Sequence, residues 1–278
     1  MSSQVLTYPA SEAELIDLES RRAKPAPSFA DQLMDLKHLR MRSNDVIRAR
    51  TGLTNRVHAI CRRMVGSKGK DDEAGLKKAR ALYARTRAVI TNGPQPDTDS
   101  EALYVASLTQ AYFAALVPLD AEDAAIRKAM IKIADGMPAI DWVKSIKGFG
   151  VYSFACILGE CGDLGNYKNN GRLDKRMGLA VIDGRAQRKV TDVELAIRMG
   201  YAPARRSLMF LVGDNLIRAQ GTGDDAGSYR RIYDDRKALE LARNPQMTPL
   251  HAHRRAKRYM EKQLLHDLRA AWVEAVNG

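Results

Sequence analysis

The chain has 278 residues, 45% of them apolar, and a formal net charge of +12. That size allows one large domain or two smaller ones with real cores, and that charge favours polyanion partners, nucleic acid before an anionic membrane surface. Cys61, Cys156 and Cys161 form neither a CxxC pair nor a disulfide framework, which excludes a cysteine zinc cluster and fits a reducing compartment. No apolar run is read as reaching the roughly 20 residues of a membrane span, and the N-terminus lacks the charged and apolar regions of a signal peptide. The expectation is a soluble, cytoplasmic, nucleoid-associated protein without membrane contact.

Taken in order, the elements read as helices throughout, so the predicted class is all-α. "SEAELIDLES" opens with a capping-box pattern, Ser11 to Glu14, and "KPAPS" breaks the chain. From Ser28 to about Met64, Leu39, Val46, Leu53 and Ile60 recur every seven residues with Leu36, Val57 and Met64 beside them. This is a coiled-coil-like seam, made imperfect by Ser43 and Arg50. After a loop at 65–75, a second helix carries Leu76, Ala79, Tyr83, Thr86 and Ile90 and stops at "NGPQPD". These two helices suit antiparallel packing or pairing with a second copy, and a homo-oligomer through residues 35–92 is expected. A third helix is predicted at 99–116 and a linker helix at 120–134.

A compact helical region follows from Pro138 to about Leu216, with a short extended piece near 180–190. The loop "QGTGDDAGS" comes next, then a last helix started by Thr248 and Pro249 as N-cap and first residue. Trp142 and Trp272 read as core anchors. The expected division is an N-terminal segment at 1–30, a helical coiled-coil-like domain at 31–135 and a helix-hairpin-helix domain at 136–278.

Charge separates the long helices from plain scaffold. Between Met34 and Ile90 there are 15 lysines and arginines against 5 acids. A solvated helix normally mixes signs, whereas a one-sign helix suits a phosphate backbone. Arg56, Arg62 and Arg63 are the candidates there.

The stretch "SIKGFGVYSFACILGECGDL" fits a helix-hairpin-helix corner. Two glycines, Gly148 and Gly150, let the backbone turn without a Cβ in the way. The first turn of the next helix then presents unpaired amides and the positive end of its dipole, which suit a phosphate. Lys147 adds charge, Phe149 sits between the glycines, and Tyr152 and Ser153 carry hydroxyls in that first turn. A tight structural corner is the alternative reading of the same residues.

"SIKGFGVYSFACILGECGDLGNYKNNGRLDKRMGLA" resembles the C-terminal transposase domain of the bridge-recombinase family of insertion-sequence transposases. The likeness rests on Ile146, Gly148, Gly150, Gly162, Asp163, Tyr167, Lys168, Gly178 and Leu179. "YAPARRSLMFLVGDNLIRA" is similar to the family's arginine-led helix, with Arg205 and Arg206 in matching places. "YRRIYDDRK" and "HAHRRAKRYMEKQLLHDL" look like its C-terminal segments, and "RARTGLTNRVHAICRR" like the long helix before the domain. The resemblance implies DNA handling and adds Lys168, Arg205 and Arg206 to the DNA-binding candidates.

Two family features have no counterpart. The family begins with an RNase-H-like nuclease domain bearing four metal-binding acids, and the first 35 residues here cannot hold such a fold. Where the family places a catalytic serine, this chain reads "AVIDGRAQRKVTD". Thr191 reads as an N-cap paired with Glu194, and Ser207 lacks a visible base. No catalytic residue, metal site or cofactor is therefore expected. His251 and His253 lie two apart and point to different helix faces, and Asp224-Asp225 and Asp234-Asp235 lack convergent partners. Tyr152, Tyr167 and Tyr229 suit stacking with nucleic acid or core roles equally. The expected function is a non-catalytic, transposase-derived regulator or architectural factor that binds duplex DNA through phosphates. The alternatives are a recombinase component cutting DNA with a partner nuclease, and a structured-RNA-binding module.

Overall fold

The computed structural model describes residues 28–278. The capping box at Ser11 and nearly all of the 1–30 segment lie outside them. Helix α1 (Phe29–Met64) begins at a capping box one helix later than the one the sequence suggests. Ser28 Oγ accepts the Asp31 amide and Asp31 accepts the Ser28 amide. Helix α2 (Glu73–Asn92) is capped by Asp72, which accepts the Gly75 amide at 2.9 Å, and ends at Gly93 with φ of 79°. Helix α3 (Ser100–Ala134) starts at Asp99, which accepts the Ala102 amide.

The two helices expected over 99–134 are one, with Pro118 inside it. A proline there removes one donor from the helix ladder. Ala114 and Pro118 both lie on the exposed side of the helix, where a freed carbonyl costs less than in the core. By length and composition α3 is apolar enough to cross a membrane, which corrects the reading that no run in the chain is. It lies along α1 and α2. Its Asp120 and Asp123 take Arg50 at 2.6 and 3.1 Å, and Glu122 takes Arg42.

The heptad seam of α1 is covered within the chain. Leu36, Val46 and Val57 are buried, Leu39 and Ile60 pack beside them, and α2, α3 and α5 supply the opposing surface. Those residues are therefore not a free face for a second copy. The large apolar residues that α3 exposes are elsewhere, at Leu103, Tyr104, Leu108 and Val117.

Short helices build the next layer: α4 (Ile140–Ser145), α5 (Val151–Cys161) and α6 (Asn170–Arg176). The extended piece expected near 180–190 is a two-stranded antiparallel hairpin, β1 (Val181–Ile182) and β2 (Arg185–Ala186). Helix α7 (Val193–Met199) is capped by Asp192, whose carboxylate accepts the Leu195 amide at 2.7 Å. Thr191 is thus one residue short of the N-cap role expected of it. Helices α8 (Pro203–Ala219), α9 (Ser228–Arg243) and α10 (Pro249–Asn277) complete the chain, and Thr248 caps α10 as its sequence requires.

Two cores result. The smaller lies between α1, α2 and α3 around Val57, Leu82, Val105 and Phe113. The larger joins Leu36 and Val46 of α1 and Met130 of α3 to Phe154, Leu158, Met209, Leu264 and Trp272. It runs across the expected boundary at 135. Helix α5 is buried from Phe154 to Glu160 at the centre of this core, and α1 packs directly on it. A Cβ on Gly159 would lie 2.6 Å from the Arg40 Cβ and 2.7 Å from the Leu36 carbonyl oxygen. Trp272 is fully buried, as expected, with its indole N–H on Asp163 at 2.8 Å. Trp142 is only partly buried, against the edge of Phe149.

Candidate nucleic-acid interface

Between α4 and α5 the chain makes a four-residue turn, closed by the Phe149 amide donating to the Ile146 carbonyl at 3.0 Å. Gly148, third in the turn, has φ of 89°, as a type II turn demands. It also touches α8: a Cβ there would meet the Ala219 Cβ at 2.8 Å and the Asn215 carbonyl oxygen at 2.9 Å. Gly150 is different. It is the N-cap of α5, has ordinary φ, and a Cβ would point into open space.

No side chain caps α5. Among the described residues, the amides of Gly150, Val151 and Tyr152 have no acceptor, whereas those of Ser153 and Phe154 reach back to the Gly150 carbonyl. Gly150 and Val151 line a groove of about 700 Å³ between the turn and the C-terminal end of α8. Lys144, Lys147 and Arg218 flank it. Lys147 is exposed and has no carboxylate partner among the described residues. Arg218 bonds only the neutral Asn215 side chain, at 3.0 Å, and Lys144 shares its charge with Asp135 at 2.9 Å. The turn is held from behind by Gln220, which donates to the Lys147 carbonyl at 3.0 Å.

The other predicted residues divide sharply. Phe149 is 2% exposed and belongs to the larger core. It anchors the turn rather than facing a ligand. Tyr152 does not line the groove, and its ring lies under the Arg127 guanidinium of α3 at 4.1 Å. Burial, then Cys156, pushes its phenol pKa up. Ser153 is partly buried and Lys168 is exposed without a partner. Tyr167 and Tyr229 turn inward, onto the Cys161 carbonyl at 3.1 Å and onto Asp267 at 2.9 Å.

Arg205 and Arg206, expected as phosphate contacts, are each paired with a buried carboxylate. Arg205 reaches the buried Glu160 at 3.0 Å, opposite Arg40 of α1 at 3.0 Å, with Asn44 at 3.2 Å. Burial pushes the Glu160 carboxyl up, but Arg205, Arg40 and Asn44 together hold it below its usual range. Arg206 pairs at 2.8 Å with Glu261, which is fully buried. There burial prevails over Arg206, Lys257 and Arg258, and the carboxyl is pushed up to about 7. An arginine serving a buried carboxylate is a poor phosphate ligand, because withdrawing it leaves an uncompensated charge.

Comparison of the chain with protein-family models, curated proteins and solved structures finds no match.

A second basic surface lies at the far end of α1 and α2. Arg56, Arg62 and Arg63 are exposed there without carboxylate partners. Arg62 and Arg80 meet across the two helices at His58, whose ring stacks on Tyr83 at 4.1 Å. Burial, then Arg62 and Arg80, lowers the His58 pKa. The groove residues that sequence reasoning missed are Lys144 and Arg218. Arg218 stands some seventy positions from the turn it joins, and no local pattern marks it.

These surfaces offer hydrogen-bond donors and positive charge. Ser207 is exposed on α8 without a hydrogen-bond partner, and the neighbouring arginines hold carboxylates. Asp234 is taken by Arg230 at 2.7 Å, and His253 by the Tyr233 hydroxyl at 2.8 Å. Among the described residues no group of three or more candidate metal ligands converges.

Proposed function

We propose that this protein binds duplex DNA through its phosphates without cutting it, as a transposase-derived regulator or architectural factor. The observation that carries the reading is the groove at the Ile146–Gly150 turn. Free amides of an uncapped eleven-residue helix meet two cations there, Lys147 and Arg218, that no carboxylate among the described residues neutralises. Amides at a helix N-terminus and flanking cations are what a phosphodiester oxygen accepts from. Such contacts position a protein on the duplex without reading bases. The exposed arginines of α1 add charge that a long, regular polyanion matches.

The test is fluorescence anisotropy with a labelled duplex at fixed salt. Lys147→Glu combined with Arg218→Glu should weaken binding by about tenfold or more. Both side chains are exposed, and only the Lys147 backbone holds the turn, so the fold should survive. Unchanged affinity in that variant would remove the basis for this reading.

A further inference from the structure

A different face of the molecule carries a deeper basic groove. It lies between the β1–β2 hairpin on one side and α9 and α10 on the other, with a volume of about 630 Å³. Its wall is firm. The hairpin turns through Asp183 and Gly184, both at positive φ, as a two-residue turn between twisted strands requires. Asp183 is tied to Arg198 of α7 at 2.8 Å.

The floor is α10, which presents Arg254, Arg255, Arg258 and Lys262 over two turns, while α9 adds Arg236. Glu240 is the one acid of the lining, and it is already engaged on both oxygens. Arg236 occupies Oε1 at 2.5 Å and Arg255 occupies Oε2 at 3.1 Å. Lys262 shares Asp174 with His266. Arg254 is exposed and has no carboxylate partner among the described residues. Arg258 has a buried Nη1 that finds no acceptor among the described residues. The residue nonetheless lines the groove. Tyr259 stands among these cations. One face of its ring is covered by the Arg236 guanidinium at 4.7 Å, and the residue remains 44% exposed.

We infer that this groove binds a single strand of nucleic acid, its phosphates on Arg254 and Arg258 and a base stacked on Tyr259. A basic channel that follows a backbone, with an aromatic platform for a base, is how sequence-tolerant strand binding is built. The groove has a volume that suits a few nucleotides, and its exposed aromatic ring, which the lining of the turn groove lacks, favours a strand whose bases are unpaired. The site is separate from the turn groove and does not depend on it.

The experiment measures anisotropy of labelled oligothymidylate and oligouridylate alongside a duplex. Arg254→Glu and Tyr259→Ala each alter an exposed side chain, and thermal melts check that both remain folded. Each should weaken binding of the strand by about fivefold to tenfold while leaving duplex affinity within about twofold. Lys147→Glu with Arg218→Glu should do the reverse. Comparison of the two oligonucleotides tells a DNA strand from an RNA strand, and tight binding of either supports the site. If the strand does not bind, or binds equally well to folded Arg254→Glu and Tyr259→Ala variants, the inference is overturned. If the duplex fails to bind while the strand binds and is lost in these variants, the strand site stands and the duplex reading falls.

Discussion

Gly148 and Gly150 lie two positions apart and answer to different constraints. Gly148 holds a left-handed backbone and presses on the Ala219 side chain and the Asn215 backbone. Gly148→Ala therefore meets both strain and overlap and should cost about 1–3 kcal/mol in chemical denaturation. Gly150→Ala adds a methyl group to open space and should change stability by less than about 1 kcal/mol, so it is the variant with which to probe ligand access. Equal losses at the two positions would contradict this geometry. Glu261 gives a pH signature. Its folded pKa of about 7 lies above its ordinary 4.5, so the folded protein holds this proton more tightly than the unfolded chain. The stabilising contribution is complete below about pH 4.5 and is lost as pH rises through about 7, by up to roughly 3 kcal/mol. Urea denaturation at about pH 5 and pH 7.5 should show Glu261→Gln lacking that part of the slope. Parallel slopes in the two proteins would refute the assignment.

At the scale of elements, the contact between α1 and α5 decides how the long helices relate to the hairpin. The helices approach closely because Gly159 faces the Leu36 carbonyl and the Arg40 side chain. Arg40 then extends to Glu160, and Arg205 of α8 closes the pair from the other side. A methyl at Gly159 forces these helices apart. Gly159→Ala should destabilise the protein by about 1–3 kcal/mol although alanine is the better helix former. A stabilised Gly159→Ala variant in thermal or urea melts would show that the contact is looser. The helices themselves were largely legible: α1 and α10 begin where Ser28 and Thr248 say they should, and α2 ends at Gly93. The continuity of α3 was not, because a proline is a reliable stop only where its freed carbonyl is buried, and local sequence does not report burial.

For the whole molecule, charge is the property that connects fold to function. The 45 lysines and arginines outnumber the 33 acids, and the pairing observed uses many of the acids internally. What remains unpaired gathers at the turn groove, at the end of α1 and α2, and in the α9–α10 groove. Duplex binding through several such contacts releases counterions. Affinity should therefore fall by about a hundredfold or more between about 50 and about 200 mM salt. A flat salt response in the same anisotropy assay would mean that the basic faces are not the binding surface.

Sequence alone determined the helical class, most helix ends, the turn at Gly148 and the net charge, because each depends on neighbours within a few positions or on composition. Which cations are free was settled only by folding. Arg205 and Arg206 look in sequence like a phosphate clamp, and they became ion-pair partners because α8 lies against the buried Glu160 and Glu261. Arg218 and Arg254, unmarked in sequence, remained without a carboxylate because none of the packed elements brings one to them. A charged side chain's role is set by which opposite charges the packing places within reach, and for these residues the distances along the chain carry no information about that.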